Sequence, residues 1–447
     1  MGKYFGTDGI RGVANAELDT HLAYRAGVAA AYVLTRAAGH RAVFYIGRDT
    51  RISGDMLECA LAAGLCAAGA DVISLGVLPT PAVALLTARH NVDAGVVISA
   101  SHNPFEHNGI KIFGSEGYKL TDEQEALIEQ YIDAPPQDAL RVGGDIGRVT
   151  HLERQCAQEY IDHIVSSAPC SLSGVRVLAD CANGAASATA REVFAQLGAD
   201  AHIICDEPNG VNINVGCGST HLDRLCALMR DGDYDVGVAF DGDADRCLLV
   251  DETGEPIHGD RVIGVLAHAM QQRNRLAGGV VATVVSNLGL RVFCEQHGMG
   301  FAATKVGDRY VLEEMRRSGC NVGGEQSGHV ILSDYATTGD GQLTAIHALA
   351  LMRESGKKAG ELFAAVPIYP QTTINVPVPN AVKASVTELE IVKSVIAQIS
   401  EVFGTRGRIL IRPSGTEALV RVMVEGEDME AVSHWASIAA EAIRAAV

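Results

Sequence analysis

The chain has 447 residues, 47% of them hydrophobic and 20% charged, so it is long enough for several domains and is neither disordered nor fibrous. Its 54 acidic and 36 basic residues give a net charge of −18, which opposes non-specific binding to nucleic acid. Its 11 cysteines include no Cys-x-x-Cys pair, which favours a reduced protein over a disulfide or zinc framework.

The pattern of apolar residues does not predict a membrane span. The most apolar stretch, residues 59–88, contains Asp71 and the helix breakers Pro79 and Pro81, so it predicts helix, turn and strand. The first residues lack the apolar core of a signal peptide. We therefore expect a cytoplasmic protein that binds neither membrane nor nucleic acid.

Helical and short apolar strand patterns alternate through the first two-thirds of the chain, which is typical of α/β proteins. Asp19 is placed to cap a helix that ends near residue 38, before Gly39. After it the pattern predicts strands at 42–46, 71–75 and 95–98 and a helix at 54–69. A first domain boundary is expected in the stretch 135–147, which is rich in Pro, Gly and Asp.

Two further α/β blocks and a different C-terminal segment follow. The predicted elements are a helix at 151–167 and strands at 175–178, 236–240, 280–285 and near Asn321. After Pro367 the order changes to strand, long helix at 385–402, two strands and a helix, which predicts an α+β domain. The expected domains are residues 1–150, 151–253, 254–366 and 367–447.

An acidic loop follows the predicted strand at 236–240. Because side chains alternate along an extended backbone, Asp241, Asp243 and Asp245 project to one side, where a hard cation such as Mg²⁺ would relieve their repulsion. An EF-hand is excluded, since Arg246 stands where its loop needs Gly and a strand precedes the loop. The alternative is a solvated acidic turn.

A second polar loop, Ser99 to Pro104, follows the predicted strand at 95–98. A hydroxyl at the end of a strand, such as that of Ser101, can be a nucleophile or a phosphate carrier. A serine-hydrolase Gly-x-Ser-x-Gly pattern is missing. His102 can act as a base, although adjacent side chains often point apart, and Ser101 as an ordinary turn residue is the alternative.

Two more loops carry groups that suit polar ligands, sugar hydroxyls or an amine for the first loop and a phosphate for the second. Residues 323–329 are Gly-rich and carry a carboxylate, a hydroxyl and an imidazole, without the Gly-Lys-Ser/Thr of a nucleotide-binding loop. Residues 412–417 place an arginine beside two hydroxyls in a tight turn, which suits a phosphate dianion or is an ordinary turn. Arg11, Arg48 and Arg51 lie in further cationic loops, and each can equally be a surface arginine.

These loops, in this order, resemble the α-D-phosphohexomutase superfamily from one end of the chain to the other. The resemblance is carried also by residues 3–12 (KYFGTDGIRG), 209–214 (NGVNIN), 217–220 (CGST) and 306–310 (VGDRY). It implies an α/β fold of three similar α/β domains with mixed sheets plus a C-terminal α+β domain around a central cleft. The chain departs from the family pattern at Ala418, where the family often has Pro, and at Gly319-Cys320, which lacks the Trp often found before the sugar loop.

The resemblance also implies roles for individual residues. Ser101 would be the phosphoserine, and one Mg²⁺ per subunit would be held by Ser101, Asp241, Asp243 and Asp245. Residues implied to line the reacting centre are Arg11, Lys111, Arg246 and His329, of which Lys111 and His329 are the acid/base candidates. Residues implied to bind the substrate are Glu325 and Ser327 for the sugar, and Arg412, Ser414, Gly415 and Thr416 for the phosphate that does not react.

The implied reaction interconverts glucosamine 6-phosphate and glucosamine 1-phosphate through glucosamine 1,6-bisphosphate, which also primes the enzyme. The substrate is thus a small phosphosugar, and the resemblance leaves a homodimer open. Two rivals remain at this stage. One is a mutase of the same superfamily that acts on mannose or glucose phosphates, and the other is a Mg²⁺-dependent sugar phosphatase that uses Ser101.

Overall fold

The computed structural model describes residues 2–6, 8–35, 39–414 and 417–447. These residues form four β-sheets with flanking helices, in two compact units. The first unit comprises Met1–Val285 and Met299–Ala365, and the second comprises Ser286–Gly298 and Val366–Val447. The predicted multi-domain α/β fold class is confirmed. Within the described residues, no helix combines the length and the apolar character needed to cross a membrane.

The first sheet has seven strands: β1 (Phe5–Gly6), β2 (Gly9–Val13), β3 (Val43–Arg48), β4 (Asp71–Val77), β5 (Ala94–Ile98), β6 (His107–Gly114) and β7 (Val149–His151). Their order is β1-β2-β6-β5-β3-β4-β7. All five residues of β5 are buried, as expected for an apolar central strand. Because β7 pairs with β4, the first sheet continues beyond the stretch 135–147 in which the sequence placed a boundary.

Five helices accompany this sheet: α1 (Thr20–Thr35), α2 (Gly54–Ala67), α3 (Thr80–His90), α4 (Asp122–Asp133) and α5 (Glu153–Ser167). Asp19 caps α1, since its Oδ1 accepts from Leu22 N at 2.7 Å; the predicted end near residue 38 lies outside the described residues. Helices α1 and α2 approach closely at Gly64, where any Cβ would clash with Tyr24 O, so only glycine fits there.

The second sheet has five strands: β8 (Arg176–Asp180), β9 (Asp200–Ile204), β10 (Val236–Phe240), β11 (Cys247–Val250) and β12 (Pro256–Ile257). Helices α6 (Ala190–Gln196) and α7 (Asp223–Asp231) belong to this segment. The strand order is β12-β11-β10-β8-β9, with β10, β8 and β9 parallel and β11 antiparallel to β10.

The third sheet has four strands: β13 (Val280–Thr283), β14 (Phe301–Thr304), β15 (Val322–Gly324) and β16 (Val330–Leu332). The helices of this segment are α8 (Gly259–Gln272), α9 (Leu288–Gln296), α10 (Asp308–Ser318), α11 (Gly341–Ser355) and α12 (Ala359–Phe363), of which α9 belongs to the second unit. The strand order is β14-β13-β15-β16.

One structural plan recurs in these three sheets and positions the polar loops. In each sheet a parallel strand ends in a polar loop, and the chain returns as an antiparallel neighbour: β5 to β6, β10 to β11, and β15 to β16. Three of the four loops predicted to carry chemistry are these connections. They therefore lie at the carboxyl ends of parallel strands, where α/β sheets commonly bind ligands.

The second unit contains β17 (Gln371–Pro377), α13 (Glu390–Phe403), β18 (Gly407–Pro413), β19 (Leu419–Gly426) and α14 (Met429–Ala446), in the predicted order. Its antiparallel sheet has the order β17-β19-β18. The predicted helix start at residue 385 is wrong, because Val386–Glu388 form a 3₁₀ turn and Leu389 is extended. Helices α13 and α14 contribute Ile399, Val432 and Ile443 to the core of this unit.

Candidate active site

The loops after β5 and β10 meet in a buried hydrogen bond. Ser101 Oγ donates to Asp241 Oδ2 at 2.6 Å, and both residues are buried. Ser101 has a φ of 51°, in the left-handed region that few residues other than glycine adopt and that is often retained at functional sites. The structure thus brings together the two loops in which the sequence placed the phosphoserine and the metal.

A buried ion pair supports the backbone of Ser101. Arg51 Nη2 donates to Ser101 O at 2.7 Å, and Arg51 Nε donates to Asp49 Oδ2 at 2.8 Å. Ser99 Oγ donates to the same Asp49 oxygen at 2.6 Å and accepts from Ser101 N at 2.9 Å. Burial raises the pKa of Asp49, and Arg51 opposes the shift. Arg51, for which the sequence left a cationic loop and a surface position open, is therefore a buried support of the serine loop.

The acidic loop has the donor set of a divalent cation site. Asp241, Asp243 and Asp245 each place a carboxylate oxygen within 4.8 Å of the others, and all three residues are buried. Among the described residues, Asp243 Oδ1 and Asp245 Oδ1 have no hydrogen-bond partner. Burial, followed by the two neighbouring carboxylates, raises the pKa of Asp241. Buried oxygens that lack donors and repel one another fit a hard cation such as Mg²⁺.

Lys111, on β6, places a buried ammonium group among these carboxylates. Its Nζ lies 2.8 Å from Asp243 Oδ2, 3.2 Å from Asp8 Oδ2 and 3.9 Å from Asp245 Oδ2. Burial lowers the pKa of Lys111, but Asp243, Asp8 and Asp245 together raise it above its ordinary value. Lys111 is therefore a charged hydrogen-bond donor in this arrangement.

Sequence reasoning missed four residues of this network. Thr80 Oγ1 donates to Asp243 Oδ2 at 2.7 Å, from the start of α3. Lys119 Nζ bridges Asp8 Oδ1 and Asp308 Oδ2, at 2.6 Å from each. Three sequence features could have pointed to these residues. Thr80 lies in Pro79-Thr80-Pro81, and Asp8 and Asp308 lie in the motifs KYFGTDGIRG and VGDRY, in which neither was given a role.

The loop between β15 and β16 brings His329 to the acidic cluster. His329 Nδ1 lies 3.5 Å from Asp245 Oδ2, while Nε2 accepts from Gly339 N at 3.1 Å, so the proton of the neutral ring is placed on Nδ1. Burial lowers the pKa of His329, but Asp245 reverses the shift and raises it. Glu325 Oε1 accepts from Gly307 N at 3.0 Å. The Ser327 hydroxyl has no partner among the described residues.

Two arginines complete the predicted reacting centre, and His102 lies beside Ser101. Arg246 Nε lies 3.7 Å from Asp245 Oδ1, and Asp245 and Asp241 raise the pKa of Arg246 although burial opposes this. Arg11 Nη2 pairs with Asp8. His102 Nδ1 lies 3.3 Å from Ser101 Oγ, and burial, with Arg246 and Arg11, lowers the pKa of His102. A neutral imidazole therefore stands beside the serine hydroxyl.

The fourth predicted loop joins β18 to β19 in the second unit. Arg412 lies directly opposite Arg421 in the strand register, and burial and Arg421 lower the pKa of Arg412. Ser414 Oγ accepts from Glu417 N at 3.2 Å. Lys383 Nζ, which sequence reasoning missed, donates to Ser414 O at 2.7 Å. Two further predicted residues, Gly415 and Thr416, lie outside the described residues.

Comparison with protein families matches the chain segment by segment. Models described as phosphoglucomutase/phosphomannomutase α/β/α domains I, II and III and C-terminal domain match residues 2–138, 158–254, 258–369 and 374–442. Among solved structures, a phosphoglucomutase/phosphomannomutase family protein from Burkholderia thailandensis is 26% identical with a TM-score of 0.82, covering 98% of this chain and 97% of that one. The chain belongs to this family, the α-D-phosphohexomutases.

Curated relatives narrow the activity within the family. The phosphoglucosamine mutase of Ruminiclostridium cellulolyticum is 48% identical over 98% of this chain and 97% of the relative. That of Streptococcus agalactiae serotype III is 47% identical over 99% of both chains. These relatives support phosphoglucosamine mutase function, an isomerase activity, as the resemblance predicted.

An N-acetylphosphoglucosamine mutase from Aspergillus fumigatus, solved in complex with GlcNAc-6P and magnesium, has the same fold. It is 18% identical, with a TM-score of 0.71, over 99% of this chain and 96% of that one.

Proposed function

We propose that the chain interconverts glucosamine 6-phosphate and glucosamine 1-phosphate by phosphoryl transfer to and from Ser101. The observation that carries this proposal is the buried hydrogen bond between Ser101 Oγ and Asp241 Oδ2, at 2.6 Å, in contact with a cluster of three carboxylates and an ammonium group. Phosphoryl transfer depends mainly on the positioning of the reacting groups and on charge neutralisation. The Ser101 hydroxyl is held in place and lies beside carboxylates that would bind a cation, so its surroundings suit both needs.

The charge at Ser101 supports the metal proposal. A phosphoserine carries a charge of about −1.5 to −2 near neutral pH, and here it would stand against the buried carboxylates of the acidic loop. Asp241, Asp243 and Asp245, with an oxygen of phospho-Ser101, would hold Mg²⁺, which when bound neutralises charge on the transferred phosphoryl group. Support comes from the Asp243 and Asp245 oxygens that lack hydrogen-bond partners among the described residues.

The proton-transfer roles follow from the surroundings of Lys111 and His329. Lys111 is held charged by three carboxylates, so we assign it, an acid/base candidate from the resemblance, first as the cation that donates a hydrogen bond to an oxygen at the reacting centre and stabilises its charge. His329, the other acid/base candidate, lies next to this cluster through its contact with Asp245. Arg11 and Arg246 contribute guanidinium groups suited to the oxygens of the phosphoryl group.

The remaining predicted residues are proposed to hold the sugar and the second phosphate. Glu325 and the hydroxyl of Ser327, which has no partner among the described residues, would bind sugar groups. The loop of Arg412, Ser414, Gly415 and Thr416 would grip the phosphate that is not reacting. Glucosamine 1,6-bisphosphate would form, turn over and return its other phosphate to Ser101. Two A. fumigatus complexes are consistent with this cycle, one with GlcNAc-6P and magnesium and one of a serine-to-alanine variant with glucose 1,6-bisphosphate.

The organisation of the protein is also proposed. We retain the four domains at residues 1–150, 151–253, 254–366 and 367–447, and leave the homodimer as a hypothesis for sedimentation analysis. A reducing cytoplasm is consistent with 11 free cysteines.

Phosphorus NMR tests the proposal. With Mg²⁺ and a trace of the bisphosphate, glucosamine 6-phosphate is expected to yield a 1-phosphate signal that is lost in Ser101→Ala and kept in Ser166→Ala, an exposed serine used as the matched control. Release of inorganic phosphate would show a phosphatase instead. Faster turnover of glucose or mannose 6-phosphate would refute the glucosamine specificity.

A further inference from the structure

Two cysteines outside the site described above lie close together with an aspartate. Cys205 follows β9 directly, and Cys217 lies in the segment between β9 and α7. Their Sγ atoms and a carboxylate oxygen of Asp180 all lie within 4.8 Å of one another. Cys217 and Asp180 are buried, whereas Cys205 is half-buried. One thiol of the pair is therefore open to small solutes, and the other is enclosed behind it.

The surroundings of the two thiols differ in charge. Arg224 Nη1 donates to Cys205 Sγ at 3.3 Å, while Asn183 Nδ2 donates to Cys217 Sγ at 3.8 Å. The hydrogen bond with Cys217, together with Arg224, lowers the pKa of Cys205 against the opposing effects of burial and Asp180, whereas the same hydrogen bond raises the pKa of Cys217. A thiolate beside a guanidinium is the more reactive form of cysteine, and an accessible thiolate with a second thiol behind it is the usual arrangement of an oxidation-sensitive pair.

We propose that Cys205 and Cys217 form an oxidation site that closes to an intramolecular disulfide when a hydroperoxide reaches it. The Cys205 thiolate attacks one oxygen of hydrogen peroxide, the O–O bond breaks, and hydroxide leaves and takes up a proton to become water. Cys217 Sγ then attacks the sulfur of the sulfenic acid. The S–S bond forms, the S–O bond breaks, and the hydroxyl leaves with the Cys217 proton as a second water. Two thiols are oxidised by two electrons, and one peroxide is reduced.

A metal site is the alternative for this cluster, and its surroundings disfavour it. Both oxygens of Asp180 already accept hydrogen bonds, Oδ1 from Ala182 N at 2.8 Å and Oδ2 from Gly218 N at 2.9 Å. The guanidinium of Arg224 places a positive charge against the open side of Cys205, where it would repel a cation. Disulfide formation involves only the two sulfur atoms, so the hydrogen bonds of Asp180 do not oppose it.

Disulfide formation here is expected to disturb the serine and acidic loops. Asn214 Nδ2 donates to Ser101 O at 2.9 Å, and Ser219 N donates to Phe240 O at 2.8 Å, directly before the acidic loop. Cys217 lies between these two anchoring residues. A Cys205–Cys217 bond ties this segment covalently to the residue after β9 and restricts both anchors. We expect the oxidised protein to lose mutase activity, a consequence that rests on the proposed function.

The test combines mass spectrometry with an activity assay. After brief treatment with hydrogen peroxide and alkylation of free thiols, non-reducing digestion is expected to yield a Cys205–Cys217 cross-linked peptide that dithiothreitol removes. Activity is expected to fall about tenfold or more and to recover with dithiothreitol. Cys205→Ser is expected to keep its activity through the same treatment. Cys59→Ser, which removes an exposed thiol elsewhere, is the matched control and is expected to behave like the parent protein.

The cross-link is detected by mass spectrometry and not by activity. It can therefore be interpreted even if the protein proves not to have the proposed mutase activity. Absence of the cross-linked peptide would overturn the proposal. Stoichiometric Zn²⁺ binding would also overturn it, if Zn²⁺ protects both thiols from alkylation in the parent protein and no longer protects Cys217 in Cys205→Ser. A cross-link with full retention of activity would overturn the coupling to the serine loop.

Discussion

Replacing Arg51 by glutamine separates two roles of the buried pair beneath Ser101. The side chains of Arg51 and Asp49 have no exposed surface, and Arg51 also donates to Ser101 O at 2.7 Å. Removing the guanidinium leaves the Asp49 carboxylate buried without its countercharge. Breaking a buried pair in this way costs about 3–5 kcal/mol. We therefore expect Arg51→Gln to lower the free energy of unfolding by that amount.

The double variant Asp49→Asn/Arg51→Gln tests the cause of this loss. With no buried charge left to compensate, most of the stability should return, and a deficit of about 1–2 kcal/mol should remain for the lost hydrogen bonds. The backbone of Ser101 still lacks its donor in both variants. A fall in kcat of about 10–100-fold, larger than the change in KM, is thus expected in both.

Urea denaturation followed by circular dichroism, together with steady-state kinetics, gives the required measurements. Arg317→Gln is the surface control, since Arg317 is 75% exposed and pairs with Glu314 on the same helix, and it should cost no more than about 0.5 kcal/mol. Equal instability of the single and double variants would refute the charge argument. Recovery of kcat in the double variant would refute the positioning role of Arg51.

Three further predictions concern the cation, a buried histidine and the C-terminal loop. In a thermal-shift titration, Mg²⁺ at a hundred times its dissociation constant should stabilise the protein by about 2.7 kcal/mol. The same Mg²⁺ concentration should stabilise the Asp243→Asn variant clearly less, and an equal shift in both proteins would contradict the site. Burial lowers the pKa of His347 from 6.5 to about 4, so stability should decline as pH falls from 6.5 through 4, by up to about 3 kcal/mol. His347→Gln should flatten this decline in denaturation midpoints, and an unchanged slope would exclude His347 as its source. Arg412→Ala should raise KM about 10–100-fold with a smaller effect on kcat, whereas a loss confined to kcat would speak against phosphate binding.

The local pattern of the sequence is enough to place the elements that carry the site. The apolar runs before Ser101 and Asp241 are strands β5 and β10, and the Gly-rich loop with Glu325 connects β15 to β16, because each run is a buried strand that ends at a polar turn. The start of α13 was misplaced because Ser385 opens a 3₁₀ turn that helical periodicity does not distinguish from a helix.

The supporting interactions could not be found in this way. Lys111 and Asp243 are separated by 132 positions, and Thr80 and Asp243 by 163, so their contact depends on how the loops of different sheets meet. Arg51 illustrates the same limit. An arginine in a Gly-Arg-Asp-Thr-Arg loop has the composition of a surface residue, and only the buried Asp49 and the Ser101 carbonyl explain why it lies inside.

The charges of the site indicate that a divalent cation and the phosphoserine are present at the same time. Five carboxylates of the network are Asp8, Asp241, Asp243, Asp245 and Asp308. Four cations face them, namely Arg11, Lys111, Lys119 and Arg246. These nine side chains are close to balance, with one negative charge in excess, and the raised pKa of His329 acts to reduce that excess. A phosphoserine adds up to about −2 and a divalent cation adds two positive charges, so the two together restore the balance that either one alone disturbs. We therefore expect Mg²⁺ to bind the phosphorylated protein more tightly than the Ser101→Ala variant.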